Sequence, residues 1–328
     1  MWFQKLMGFE EVSPKNVREK IKVEGNKIIS KVNGKVYQFG ELEIPALYEL
    51  RQKSLMDIYR GNVIVKEVVG DVQDLHVDPD NENALFQVAS QFNLLEMLSP
   101  ERTPELGVGI YERDYTQGPA CAIACGAGTI YRNYFVPLNQ QIGQSFSNQI
   151  DCLDLIGEEL KNDKYNLWRM INGYALMGSK SLQIVNDHIN QLDDTEREAL
   201  KSKLKIGIQW KSEVTIGNSS QLVSQVFCSA LPVAYSHLDP ALWESFARLI
   251  LEATYEATLH TALINLDRNY SNKVFLTLVG GGAFGNDIDW IMDAIFKAIS
   301  KFKKTALEIS IVSHSSSNIH VDELVEMF

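Results

Sequence analysis

Cysteine is scarce in this chain, long apolar runs are missing, and positive charge is nowhere concentrated. Four cysteines occur in 328 residues. Cys121, Cys125, Cys152 and Cys228 form no disulfide framework, as expected for a protein of a reducing compartment. Cys121 and Cys125 stand four apart in an Ala/Gly-rich segment, a spacing that reads as small-residue helix packing. The six histidines are scattered, with no His-Glu-x-x-His run and no Cys/His pairing, so no metal site is expected. No apolar run approaches the ~18 residues of a membrane span. The start, Met1 to Glu11, lacks a basic region ahead of an apolar core, so no secretion signal is expected. Lys and Arg total 31 against 42 Asp and Glu, a net charge of −11. The one basic run, Lys301-Phe302-Lys303-Lys304, reads as a solvated helix end. A duplex-binding protein carries a basic face, so neither nucleic acid nor membrane is an expected partner, and the expected location is cytoplasmic. Nothing in the sequence bears on oligomeric state.

What is present is an ordinary globular composition, 45% hydrophobic and 22% charged. Residues 17–39 alternate like strands, with Asn33-Gly34 as a hairpin signal. Pro45 to Tyr59 reads as a short helix. Asn62 to Asp71 and Ala84 to Ser90 read as strands, the first ending in Gly70-Asp71. Residues 99–117 read as a long polar loop, a kind that is often functional. A small-residue segment follows from Gly118. From 149 to 205 the pattern is helical, in pieces over Ile150–Leu160, Leu167–Met177 and Asp194–Leu204. Val223 to Ala230 reads as a buried strand, Leu242 to Leu263 as a long helix, and Leu307 to Ser313 as a closing strand. Strands alternating with helices predict an α/β fold with a mainly parallel sheet. Ligands of such sheets sit outside the carboxyl ends of the strands.

The most informative stretch is Val274 to Asn286. An apolar run, Val274 to Val279, reads as a central strand. Gly280, Gly281 and Gly282 follow, then Ala283, Phe284, Gly285 and Asn286, then a helix-spaced segment from Asp287. Glycines let backbone N–H groups approach and face an anion, and the following helix N-terminus adds partial positive charge. The loop is not a Walker A loop, because no Lys-Ser or Lys-Thr follows it. No second βαβ unit with a ribose-binding acid follows either, as a dinucleotide fingerprint would need. Close helix–sheet packing is the structural alternative for these glycines.

Three segments in this order resemble the macrodomain family, which binds ADP-ribose. They are Gly70-Asp71-Val72; Val88-Ala89-Ser90-Gln91-Phe92-Asn93; and Gly280 to Asn286. Gln117-Gly118-Pro119-Ala120 is similar to the family's first glycine loop. The family's Asn-Ala-Ala-Asn motif is interrupted here by Gln91 and Phe92, and a segment at about 145–215 has no place in a minimal macrodomain. The resemblance implies a three-layer α/β/α fold with a mainly parallel central sheet, an N-terminal hairpin extension over 1–60, and a domain over 61–328 with a helical insert.

It further implies ADP-ribose as ligand or product, with no required cofactor. Asp71, Val72, Gln91, Asn93, Gly118, Gly280, Gly281, Gly282, Ala283, Phe284, Gly285 and Asn286 would hold it. The subgroup it most resembles includes bacterial effectors that remove ADP-ribose from arginine of a host protein. This implies an ADP-ribosylhydrolase, acting in a host cell if translocated, with catalytic candidates Asp114, Gln117 and Asn93. A loop carboxylate such as Asp114 could serve the proton chemistry of glycosidic hydrolysis. A non-catalytic reader and a phosphoesterase acting on a free nucleotide are the alternatives. Asn93 reads otherwise as the cap of a helix starting at Leu94, on which Glu96 would face solvent, with an acid–base role as its alternative. Asp71 reads otherwise as a turn former, Asp114 as an exposed loop charge, and Phe284 as core. Tyr111, Tyr131 and Arg132 are candidate pocket walls or packing residues.

Overall fold

The computed structural model describes residues 1–54 and 56–328. Among these, seven strands build a central sheet: β1 (Glu41–Glu43), β2 (Ile64–Val69), β3 (Leu85–Ala89), β4 (Gly207–Glu213), β5 (Leu222–Cys228), β6 (Lys273–Leu276) and β7 (Glu308–Ser313). Their spatial order is β1-β4-β5-β3-β6-β7-β2. The pairs from β5 through β3, β6 and β7 to β2 are parallel. Only β4 runs against the others, pairing antiparallel with both β1 and β5. β3 carries Leu85, Phe86, Gln87 and Val88, all buried, as a central strand covered on both faces should be.

Helices α1 (Leu47–Lys53), α2 (Val72–Val77), α3 (Gln117–Ala124), α4 (Gly126–Tyr134), α5 (Glu244–Asp267) and α6 (Ile288–Phe302) supply the outer layers. Alternation along β3 assigns the faces. Phe86 stacks on His76 of α2 at 3.9 Å. The next residue, Gln87, donates from Nε2 to Thr258 Oγ1 of α5 at 2.8 Å. Successive strand side chains point to opposite faces, so α2 and α5 lie on opposite sides. α3 joins α2 through Gln73 Nε2, which donates to Ala120 O at 3.0 Å. α1 and α6 join α5 through Arg51 and Lys301, each 2.7 Å from the Glu256 carboxylate. The fold is therefore three-layer α/β/α with a mainly parallel sheet. Every residue of α5 from Leu249 to Asn265 is buried, because sheet, α1 and α6 surround it.

The structure differs from the sequence expectation in four places. Residues 14–20 form a helix, with Ser13 accepting from Asn16 N and Pro14 in the first turn. Strand pairing begins only at Ile21, in a three-stranded antiparallel sheet of Ile21–Glu24, Lys27–Ser30 and Val36–Gln38. The expected helix over 167–177 is a hairpin, Trp168–Ile171 with Tyr174–Met177. Its turn, Asn172-Gly173, has φ of 49° and 78°, left-handed values that this dipeptide favours. The segment at 145–215 is thus not wholly helical, and its last part is β4 of the central sheet. No helix starts at Leu94. This residue has φ 63°, Asn93 Oδ1 accepts from Leu95 N at 3.1 Å, and Gln91 N donates to Leu95 O at 2.9 Å, closing a tight buried turn.

Candidate functional site

A cavity opens at the carboxyl ends of β3, β5 and β6. Its walls come from the turn after β3 (Ser90, Gln91, Glu96, Met97), the loop into α3 (Asp114, Thr116, Gln117, Gly118), the hairpin residue Tyr174, the segment after β5 (Ala230, Tyr235), and the loop after β6 (Gly280, Gly282, Ala283, Phe284). This is the position at which parallel sheets take ligands.

The loop after β6 is bound to itself. Gly281 N donates to Leu278 O at 3.1 Å, Gly285 N to Gly282 O at 3.0 Å, and Asn286 N to Gly280 O at 2.9 Å. Asn286 Nδ2 ties it to Leu231 O at 2.8 Å. At Gly280, φ is +83° and a Cβ would lie 2.5 Å from Ala230 Cβ, so only glycine fits. Among the described residues, the N–H groups of Gly280, Gly282, Ala283 and Phe284 donate to no acceptor. Three of these residues, Gly282, Ala283 and Phe284, run consecutively along the cavity wall. Successive free backbone N–H groups form an anion-binding concavity. Asp287 closes the loop as the cap of α6, accepting from Asp289 N at 2.8 Å.

Opposite this neutral cradle stands Glu96. It is 1% exposed, yet neither carboxyl oxygen has a hydrogen-bond partner among the described residues. Burial pushes its proton affinity up to a pKa of about 8, against the pull of the Arg132 guanidinium 3.6 Å away. Burial thus favours the neutral carboxylic acid over the carboxylate at this position. Its backbone N–H donates to the Tyr111 hydroxyl at 3.1 Å. Arg132 is itself held by Leu94 O at 3.0 Å and lies 3.6 Å over the Phe227 ring. The turn that carries Glu96 is buttressed by the hairpin. Phe92 N donates to Gly173 O at 3.0 Å, Tyr174 Oη to Met97 O at 2.9 Å, and Asn172 Nδ2 to Arg102 O at 2.6 Å. Tyr174, Tyr235 and Phe284 pack together with ring centres 4.9 to 5.6 Å apart, forming an aromatic wall.

Of the residues singled out from sequence, Gln91, Asp114, Gln117, Gly118, Gly280, Gly282, Ala283 and Phe284 meet at the cavity. Asp114 accepts from Thr116 N at 2.9 Å and Thr116 Oγ1 at 2.7 Å. Gln117 latches the end of β3, donating to Gln87 O at 2.8 Å and accepting from Ala89 N at 2.9 Å. A Cβ at Gly118 would lie 2.0 Å from Ala89 O, so glycine here lets α3 press against β3. Gln91 Oε1 accepts from Met97 N at 2.9 Å.

Asn93 does not line the cavity. It is fully buried, and its amide donates to Gln149 Oε1 at 2.9 Å. Gly281, Gly285 and Asn286 shape the glycine loop without lining the cavity. Asp71 caps α2, accepting from Gln73 N at 2.7 Å, and Val72 is buried beside it. Asp71 follows the edge strand β2, whose neighbour β7 ends in a second crevice lined by Thr277, Leu278, Ser313, His314, Ser317 and Asn318. Gly70 N donates to Ser313 O at 3.0 Å. Thr277 and Leu278 border both cavities.

Glu96, Tyr174 and Tyr235 are the site residues that sequence reasoning undervalued or missed. For Tyr174 a signal existed in the adjacent Asn172-Gly173. Tyr111 and Arg132 pack behind Glu96, and Tyr131 stacks on Phe39 at 3.9 Å. Among the described residues no group of His, Cys, Asp and Glu has the arrangement of a metal site, and no helix is long and apolar enough to cross a membrane.

No known protein-family profile matches the chain, and no curated protein sequence does. Solved structures with a similar chain course include poly(ADP-ribose) glycohydrolase from Deinococcus radiodurans in complex with ADP-ribose. One such structure is 9% identical, covers 86% of this chain and 90% of its own, and has a TM-score of 0.43. Another is 10% identical over 87% and 94%, with a TM-score of 0.45. The enzyme from Thermomonospora curvata bound to the inhibitor ADP-HPD is 10% identical over 96% of each chain, with a TM-score of 0.43. At TM-scores below 0.5 these neighbours do not define the fold, which strand order and register define directly.

Proposed function

We propose that this macrodomain-like protein binds ADP-ribose and is an ADP-ribosylhydrolase that releases it from a modified protein. One observation carries the reading: a buried carboxyl group without a hydrogen-bond partner, Glu96, shares a cavity with the free amides of Gly282, Ala283 and Phe284. The amides would take the diphosphate, since charge-assisted N–H···O bonds are stronger than neutral ones. The nucleoside would extend over Thr277 and Leu278 into the second crevice, at the end of β7. The second ribose would lie towards Glu96 and Asp114.

Hydrolysis then needs little machinery. The bond from the anomeric carbon to the leaving group breaks as Glu96 passes its proton to that group. A water molecule adds to the anomeric carbon and gives a proton to the Asp114 carboxylate. Proton exchange with solvent returns Asp114 to carboxylate and Glu96 to carboxylic acid. A pKa near the working pH suits an acid of this kind. Arginine is the linkage implied by the resemblance of the sequence motifs. Its guanidinium is already cationic in the substrate, so positioning contributes more there than proton donation does.

A reader without chemistry is the second reading, favoured by the burial of Asn93 away from the cavity. The two are separated by incubating arginine-, serine- and glutamate-linked ADP-ribosylated proteins with the purified chain, alongside calorimetric titration of ADP-ribose. Micromolar binding with release of free ADP-ribose supports the hydrolase. Binding without release from any substrate supports the reader, and absence of binding overturns both.

A further inference from the structure

Residues 1–13 play no part in the chemistry above, yet among them Glu11 seats its carboxylate on the turn that leads to Asp114. We propose that Glu11 is a positioning residue for the reacting carboxyl groups, an inference that rests on the hydrolase reading. Glu11 Oε1 accepts from Val108 N at 2.9 Å and from Tyr134 Oη at 2.6 Å, and Oε2 accepts from Gly109 N at 2.6 Å. The backbone is cut away to admit it. A Cβ on Gly107 would lie 2.5 Å from Oε2 and one on Gly109 2.8 Å from the same atom. Trp2 holds the same turn, its Nε1 donating to Val108 O at 3.1 Å and its backbone N to Glu112 Oε2 at 2.8 Å.

What that turn carries gives the seat its consequence. The Tyr111 hydroxyl accepts the backbone N–H of Glu96 at 3.1 Å. Asp114 N donates to Tyr111 O at 3.1 Å, and the Asp114 side chain lines the cavity. A shift of the 107–113 turn therefore moves the supports of Glu96 and Asp114 together. The Gly280–Phe284 loop is anchored elsewhere, on Leu231 and Ala234, and would stay in place. Glu11 thus bears on turnover and not on diphosphate binding.

The test is Glu11→Gln in the full chain, with Glu11→Asp as the conservative variant. Glu11→Gln replaces one of the two carboxylate oxygens by an N–H₂ group, which leaves either the Val108 or the Gly109 amide facing a donor instead of an acceptor. Turnover falls about tenfold or more, as small misplacements of reacting groups do. Affinity for ADP-ribose stays within about twofold. The alkaline limb of the pH–rate profile moves, and Glu11→Asp recovers part of the loss. Carbon-13 titration of the Glu96 carboxyl in the free protein reads the same shift without substrate. Failure of the wild type to bind or release ADP-ribose refutes the hydrolase reading, while the Glu96 titration still decides the role of Glu11. Unchanged turnover and an unchanged Glu96 titration in folded Glu11→Gln overturn the inference. So does a parallel loss of turnover and affinity with no shift of the limb.

Discussion

Substituting Gly282 by phenylalanine separates the ligand cradle from the fold. A Cβ built on Gly282 meets no atom within 4 Å, and the residue does not have the positive φ of Gly280 or Gly285. The new side chain therefore enters open space at the cavity wall without strain. The melting temperature should stay within about 2 °C of wild type, as for surface changes that touch nothing. Binding should not survive. The ring would stand where a diphosphate meets the amides of Gly282, Ala283 and Phe284. Hydrogen bonds to a charged oxygen contribute about 1.5–3 kcal/mol each. Displacing two of them costs about 3–6 kcal/mol, or about 10²- to 10⁴-fold in affinity. Calorimetric titration with ADP-ribose measures this directly. A folded variant that binds ADP-ribose as tightly as wild type refutes the cradle and everything built on it.

Glu96 makes two further predictions. The rate of ADP-ribose release should fall as pH rises through about 8, when the acid loses its proton. Because its folded-state pKa lies above that of the unfolded chain, the native state binds the extra proton between about pH 5 and 8. Stability should decline across that window by up to about 1.4 kcal/mol per pH unit, and denaturant titrations of Glu96→Gln should lack that slope. His76 behaves oppositely. Burial lowers its pKa to about 4 while Nδ1 faces Val72 O at 2.7 Å. The unfolded chain protonates first, so stability is lost as pH falls from about 6.5 towards 4, and nitrogen-15 spectra should show a neutral ring at pH 5. Gly173→Ala places a Cβ 2.6 Å from Gln91 Cβ at φ +78°. It should destabilise the protein by about 2–4 kcal/mol in denaturant unfolding, and release of ADP-ribose should slow as the Glu96 turn shifts.

The parallel core was legible because its strands announce themselves. Leu85 to Val88 and Val274 to Leu276 are continuous apolar runs, and α5 and α6 repeat apolar residues at helical spacing. The glycine loop was legible for a similar reason, since Gly280 and Gly285 mark backbone that no other residue adopts easily. Glu96 was not legible. Its burial depends on the left-handed Leu94, on Gly173 lying 92-to-173 across the turn through the Phe92 amide, and on Arg132 from α4. The last two join segments distant in sequence, and the first is a local backbone conformation that leucine rarely adopts. Leu167 to Met177 misled because its apolar residues fit a helix as well as a hairpin. The Asn172-Gly173 pair decides between them, just as Asn33-Gly34 does earlier in the chain. β4 escaped because Gln209, Lys211 and Glu213 interrupt its apolar pattern, although Gln209 is buried with Nε2 donating to Phe39 O at 2.7 Å.

Electron density for ADP-ribose diffused into crystals of the wild-type chain bears most directly on the central claim. The diphosphate should lie against the amides of Gly282, Ala283 and Phe284, with the anomeric carbon of the second ribose within reach of the Glu96 carboxyl group. Density placing the diphosphate away from these amides, or the anomeric carbon facing a wall without Glu96, would contradict it.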